Sequence, residues 1–291
     1  GFTLHKGEIV GLVGESGCGK STLLRTLMML ISEDMSIMEG SVLFEEKDLA
    51  SMEEEELRQI RGSKISMVFQ NSGEACDPVQ NIGYHFWETM NCHGEKRLKK
   101  ECYTYAAALL KQLRMPDPER ILKSYPFELS GGMNQRVGIA LAMVNNPQII
   151  LTDEPTSALD VSVQAQIIAL LKRLQKEKNM AYLFITHDIL LARNICDRIA
   201  VMYKGSIVET GMAAEILDNP GHPYTKLLLK CVLKPRIDKE FEFVDSDSLR
   251  EASSEGCKFY EFCPYATEKC KLQRPELTEK KGRQIACFHE I

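Results

Sequence analysis

The chain opens on an apolar, β-branched run over residues 8–13 that ends in glycines, followed over 20–30 by Leu23, Leu24, Leu27 and Met28 at helical spacing. This predicts strand, glycine loop, helix. Runs 41–44 and 65–69 read as further strands on either side of a helix over 52–60, whose glutamates make a solvated face. From 71 to about 144 the pattern turns helical, with one helix over 96–113 that Pro116 and Pro118 are expected to end. Strand character returns at 148–152 in a run that leads into Asp153-Glu154-Pro155. Val163, Ile167, Leu170, Leu171 and Leu174 then give the 161–178 segment a helical stripe. A buried strand over 181–186, a helix over 189–196, and a strand pair 198–203 and 206–209 about Lys204-Gly205 complete the pattern. The polar, acid-rich stretch 241–254 reads as a linker.

Strands alternating with helices imply an α/β fold with a mainly parallel sheet, interrupted by a helical insertion. No internal repeat or low-complexity segment is visible. At 291 residues and 44% hydrophobic content the chain is long enough for a full α/β core plus an extra subdomain or tail. A net charge of -5 provides no basic field for neutralising phosphates, so nucleic acid is excluded as a main partner. No apolar run is long enough to cross a bilayer and no charged-then-apolar leader opens the chain, so a cytosolic chain is expected. The first residue is Gly1 and the text begins in mid-pattern, so further sequence is expected ahead of it.

Gly14-x-x-x-x-Gly19-Lys20-Ser21 fits the phosphate-binding loop in the context that pattern requires, after a strand and opening a helix. Glycines let backbone N–H groups turn inward around phosphate oxygens, and the helix N-terminus adds positive potential. Lys20 can reach the β/γ oxygens and Ser21 can ligate Mg²⁺, so ATP with Mg²⁺ is the expected ligand and Gly14, Glu15, Ser16, Gly17, Cys18, Gly19, Lys20, Ser21 and Thr22 its cradle. The strand ending in Asp153 and Glu154 supplies the two carboxylates such a site needs. Asp153 is assigned to the metal and Glu154 to the attacking water. An acidic pair at a strand end is, taken alone, as often a helix cap. Cys18 inside the loop reads as a tolerated small side chain, since a thiolate there would be repelled by phosphate.

Leu129-Ser130-Gly131-Gly132-Met133-Asn134-Gln135 opens a second helix whose N-terminus is suited to an anion. With these residues in order, the sequence resembles the ATP-binding-cassette family along nearly its whole length: Walker A at 14–21, the Q-loop Gln70, the signature 129–135, Walker B through Glu154, the D-loop 157–160 and the switch His187. The resemblance implies a P-loop ATPase of RecA-like sheet with a partial antiparallel β subdomain, a helical signature subdomain and a small cysteine-rich C-terminal tail. The expected boundaries are a nucleotide-binding core at 1–70 and 146–212, a helical subdomain at 71–145 and a C-terminal extension at 213–291. It also implies two cassettes head to tail, with Ser130, Gly131 and Gly132 of one contacting the γ-phosphate on the other. Gln70 would sense Mg²⁺ and water while signalling to the membrane partner, and His187 would contact the γ-phosphate; read without the family, a lone histidine after a strand is a structural hydrogen-bonding residue. Two departures stand out. The family's adenine-stacking aromatic ahead of Walker A has no counterpart beyond Phe2, which predicts weak ATP binding, and 71–78 differs from the usual text after the Q-loop, which implies a different permease contact.

Ten cysteines divide unevenly, with six scattered and Cys257, Cys263, Cys270 and Cys287 crowded into the last 35 residues. Disulfides are disfavoured in a cytosolic chain, and four unligated core thiols fit poorly with a tail that has few other apolar residues. Zinc sites usually pair cysteines at short spacing, so the irregular gaps lean toward an iron–sulfur cluster, with zinc as the alternative. Asn219-Pro-Gly-His222-Pro223-Tyr224-Thr225 followed by these cysteines is similar to the oligopeptide/dipeptide/nickel importer ATPases, and 160–166 fits the same subgroup. That similarity implies a [4Fe-4S] cluster on the four tail cysteines, a second ATPase subunit, two membrane permeases, an extracytoplasmic substrate-binding protein and a peripheral place on the cytoplasmic face of the membrane. The implied activity is ATP hydrolysis powering uptake of oligopeptides or dipeptides, with nickel or another small solute as the alternative cargo. His222 and Tyr224 are read as packing that anchors the tail. A soluble cassette ATPase of DNA repair is the rival, and it predicts a long coiled-coil or zinc insertion that the sequence does not contain.

Overall fold

The computed structural model describes residues 1–32, 34–94, 96–157, 159–233 and 255–289; the expected linker over 241–254 and the D-loop's Ala158 lie outside them. In chain order the elements begin with β1 (Ile9–Val13), α1 (Lys20–Leu27), β2 (Leu43–Phe44), β3 (Lys47–Asp48), α2 (Glu54–Ile60) and β4 (Ile65–Val68). The helical stretch holds α3 (Ile82–Asn91), α4 (Lys99–Gln112), α5 (Pro118–Lys123) and α6 (Gly131–Met143). Then come β5 (Ile149–Asp153), α7 (Val161–Lys178), β6 (Ala181–Thr186), α8 (Ile189–Ile195), β7 (Arg198–Tyr203) and β8 (Ser206–Met212). The C-terminal part adds α9 (Ala213–Asp218), α10 (Pro223–Leu233), α11 (Glu268–Leu272), β9 (Thr278–Lys280) and β10 (Arg283–Ile285). By contacts the chain divides into two compact units, one of Gly1–Leu4, Glu8–Lys20 and Thr186–Ile291, the other of His5–Gly7 and Ser21–Ile185.

In the second unit β4, β5 and β6 pair in parallel, as strands alternating with helices imply. All six residues of β6 are buried, which is why this strand is a continuous apolar run without polar alternation. Helix α7 buries Ile167, Ile168, Leu170, Leu171 and Leu174. Each such side chain removed from water contributes about 1.5–3 kcal/mol. Its start is set by Asp160, whose Oδ1 accepts the N–H groups of Ser162 and Val163. Helix α6 buries Val137, Ile139, Ala140 and Met143 among the helices of the signature segment.

Several boundaries differ from the sequence expectation, three of them for a clear backbone reason. Helix α1 stops at Leu27 rather than at residue 30 because Met29 turns left-handed, at φ 51°. Helix α4 begins at Lys99 and its last turn closes on Leu113, with Arg114 left-handed at φ 56°, so the chain has already left the helix before Pro116. Pro118 ends nothing; it opens α5 at a position where a missing N–H costs no hydrogen bond.

In the first unit β1 pairs parallel with β7, and β7 turns back antiparallel onto β8 through Lys204 and Gly205, at φ 41° and 76°. β10 pairs antiparallel with β8, and β9 with β10, so the C-terminal tail extends this sheet by two short strands that the sequence pattern does not reveal. A buried ion pair pins this junction: Glu209 on β8, 0% exposed, meets Arg283 of β10 at 3.3 Å. The same carboxylate accepts the backbone N–H groups of Gly221 and His222 at 2.8 and 2.9 Å. No helix among the described residues is long and apolar enough to cross a membrane.

Candidate nucleotide site

The loop from Gly14 to Lys20 is shaped by steric necessity. A Cβ on Gly14 would stand 2.2 Å from the carbonyl oxygen of Met202, so only glycine lets the loop lie flush on the end of β7. Gly19, at φ 102°, turns the chain into α1 through a conformation that side chains avoid. Lys20 is only 5% exposed, and its Nζ folds back to donate to the carbonyls of Gly14 and Glu15 at 2.8 and 2.9 Å. Its ammonium therefore sits over the concavity of the loop, where phosphate oxygens would replace the two carbonyls. Burial pushes the Cys18 thiol up, against the pull of Lys20, so it stays protonated and is no nucleophile. Glu15, Ser16 and Gly17 form the exposed rim of the loop.

At the head of α1, Ser21 donates its hydroxyl to Asp153 Oδ1 at 3.2 Å. Adjacent oxygen ligands of an octahedral Mg²⁺ lie about 2.9 Å apart, so a hydroxyl and a carboxylate so placed fit that ion with little movement. Thr22, next along the helix, is exposed. Glu154 takes a left-handed backbone at φ 44°, a conformation that a non-glycine residue holds only when its surroundings impose it. Its N–H donates to Ile185 O at 3.2 Å and its carbonyl accepts the Ser157 hydroxyl at 3.1 Å. Gln70, at the end of β4, donates from Nε2 to that same Ser157 oxygen at 2.9 Å. A short polar relay thus links Gln70, Ser157 and the backbone of Glu154. Sequence spacing gave no hint of Ser157 as its middle member.

Ser130 caps α6, its Oγ accepting the Met133 N–H at 3.4 Å, and Ser130 and Gly131 are exposed. A Cβ on Gly132 would lie 2.8 Å from Val163 Cγ1, so glycine allows the signature turn to seat against α7. A cavity of about 510 Å³ lies beside this turn, lined by Gln70, Asn71, Phe127, Gly131, Asn134 and Leu159 among others. His187 follows β6 directly and is exposed. Asp188 beside it accepts the N–H groups of Leu190 and Leu191 at 2.9 Å and so starts α8.

Cys263 and Cys270 are buried, and Cys257 and Cys287 half-buried. Burial, joined by the like charges of Cys287, Cys257 and Cys270, pushes the Cys263 thiol up to about 11. Cys257 is raised by burial and then by Cys270 and Cys287. The four sulfurs therefore lie within electrostatic reach of one another. Among the described residues, however, no three His, Cys, Asp or Glu side chains are spaced to hold a single metal ion.

Residues 1–157 match the family model described as ABC transporter, and residues 208–270 that of the oligopeptide/dipeptide transporter C-terminal region. The chain is 41% identical over 291 residues to the oligopeptide transport ATP-binding protein AppD of Bacillus subtilis, covering 99% of this chain and 88% of that protein. It is 38% identical over 296 residues to the dipeptide transport ATP-binding protein DppD of Escherichia coli, covering 100% of this chain and 89% of that one. Among solved structures it resembles a post-hydrolysis dimer of the ATP-binding cassette MJ0796 bound to ADP and Pi, at 32% identity and a TM-score of 0.65 over 73% of this chain and 88% of that one.

Proposed function

The chain belongs to the ABC transporter family as an ATP-binding cassette, and from that premise we propose that it is the ATP-hydrolysing subunit of an importer of oligopeptides or dipeptides. The observation that carries the reading is the Ser21–Asp153 hydroxyl–carboxylate pair with Glu154 held next to it in a strained backbone. The match of the C-terminal region and the names of the relatives direct it to peptide cargo.

In this reading the N–H groups of the loop and Lys20 bind the triphosphate of ATP, and Ser21 and Asp153 hold Mg²⁺. The bound cation neutralises charge on the phosphate oxygens. Glu154 orients and deprotonates the attacking water, and His187 contacts the γ-phosphate. Gln70 reports the presence of the metal and water. A second cassette contributes its own Ser130, Gly131 and Gly132 to the phosphates held on this chain, and this chain returns the same contact. The core at 1–70 and 146–212 hydrolyses ATP, the 71–145 segment carries the signature and receives the permease, and 213–291 forms the extension. Two permeases and an extracytoplasmic binding protein complete the assembly, with the cassette peripheral on the cytoplasmic face.

We read the four tail cysteines as ligands of a [4Fe-4S] cluster. The irregular gaps between the four cysteines, unlike the short pairs typical of zinc sites, support this reading. Reconstitution of the cassette pair with its permeases and binding protein tests both parts. The expected result is ATP turnover stimulated by short peptides, and iron and sulfide recovered in equal amounts from anaerobically purified protein. Turnover indifferent to peptides, or stoichiometric zinc without iron, would overturn the corresponding part.

A further inference from the structure

The His222-Pro223-Tyr224 segment stands outside the nucleotide motifs, yet it reaches the loop. The Tyr224 ring is 0% exposed, with its centroid 4.5 Å from that of Tyr203 and 5.6 Å from that of Phe259. Its hydroxyl oxygen accepts the N–H of Glu15 at 3.2 Å. Tyr203 and Phe259 in turn meet edge to face at 5.3 Å, and Phe259 lies two residues beyond Cys257. A second tie runs beside the first: Lys258 Nζ donates to the carbonyl of Lys204, and the next residue, Gly205, donates its N–H to Cys18 O at 2.8 Å. Both ties begin within two residues of Cys257 and end on the backbone of the loop. The contacts all lie within one unit of the chain.

From this arrangement we propose that Tyr224 is a positioning residue for the nucleotide loop and that, through Tyr203 and Phe259, it couples nucleotide binding to the four-cysteine module. The proposal rests on Gly14–Ser21 being the nucleotide loop. The physical basis is preorganisation. An amide pinned by a buried neutral acceptor leaves the loop fewer conformations to lose when phosphate binds. Burial, and then the charge of Glu15, keep the Tyr224 hydroxyl protonated, so the acceptor stays neutral. Whatever orders the stack around Phe259 then favours the phosphate-ready loop, and by linkage bound nucleotide orders the stack.

The full chain with Mg-ATP and its Tyr224→Phe variant provide the test. Phenylalanine keeps the ring contacts and deletes only the acceptor, so the melting transition is expected to stay in place. Loss of one such hydrogen bond predicts a nucleotide Kd raised about three- to tenfold, with kcat of the assembled transporter unchanged at saturating ATP. In the wild type, Mg-ATP is expected to slow hydrogen exchange of the amides at 257–263, and this slowing is expected to vanish in Tyr224→Phe. Phe259→Leu, which keeps the Tyr224 hydroxyl but breaks the stack, is expected to reproduce the loss of slowing. An unchanged Kd in Tyr224→Phe would overturn the positioning role. Tail amides indifferent to nucleotide in the wild type would overturn the coupling. A wild-type chain that binds no nucleotide at all would instead overturn the loop assignment beneath both.

Discussion

At the scale of residues, the chemistry is concentrated in a few side chains whose geometry is imposed from outside. Glu154 holds φ 44° although it is no glycine, because its N–H is tied to Ile185 and its carbonyl to Ser157. That tether aims the group assigned to the attacking water. Replacing Glu154 by Gln preserves the shape and removes the base, and losing a general base typically costs about 10²–10⁴ in rate. Glu154→Gln is therefore expected to bind ATP while turnover in the assembled transporter collapses by that factor; phosphate release at the wild-type rate would reject the assignment. These residues were legible in the sequence because each occupies a fixed place relative to a glycine loop or a strand end. Ser157 as relay and Tyr224 as loop support were not, because they act through contacts to Gln70 and Glu15, 87 and 209 residues away.

At the scale of elements, legibility followed burial and length. The periods of 161–178 and 181–186 predict α7 and β6 to the residue, since one carries a long apolar stripe and the other is buried throughout. β9 and β10 leave no mark in the pattern: three residues each, Thr-Glu-Lys and Arg-Gln-Ile, are too short to show alternation, and their pairing is decided by β8 and the Glu209–Arg283 pair. The start of α10 shows how a buried histidine does structural work. His222 is 2% exposed, and its Nδ1 accepts the Tyr224 N–H at 3.1 Å, which requires the neutral ring. Burial lowers its pKa from 6.5 to about 4. The unfolded chain takes up a proton near pH 6.5 that the folded chain refuses until about pH 4, so this contribution to stability is complete above 6.5, declines between those values and is gone below 4. The loss over that window is on the order of 3 kcal/mol. Denaturant unfolding of wild type and His222→Gln across pH 7 to 4 is expected to show a shallower decline in the variant, which keeps an acceptor but no titrating ring. Parallel declines would show that His222 does not set the slope.

At the scale of the whole molecule, the proposal gives a cassette two ends for phosphate: the loop at Gly14–Lys20 and the exposed turn at Ser130–Gly131 that starts α6. Two copies or two sister chains placed head to tail would bring one end of each to one nucleotide, and separation after hydrolysis would return the permeases to their starting state. Residues 208–270 match the oligopeptide/dipeptide transporter C-terminal region, and β9 and β10, which extend the sheet from β8, lie just beyond that match. The most direct test places a photo-crosslinking side chain at position 130 in the assembled transporter carrying Glu154→Gln. With Mg-ATP, mass spectrometry is expected to find position 130 joined to the phosphate-loop peptide of the other cassette, and no such adduct without nucleotide. Adducts confined to the same chain, or unchanged by Mg-ATP, would contradict the shared site.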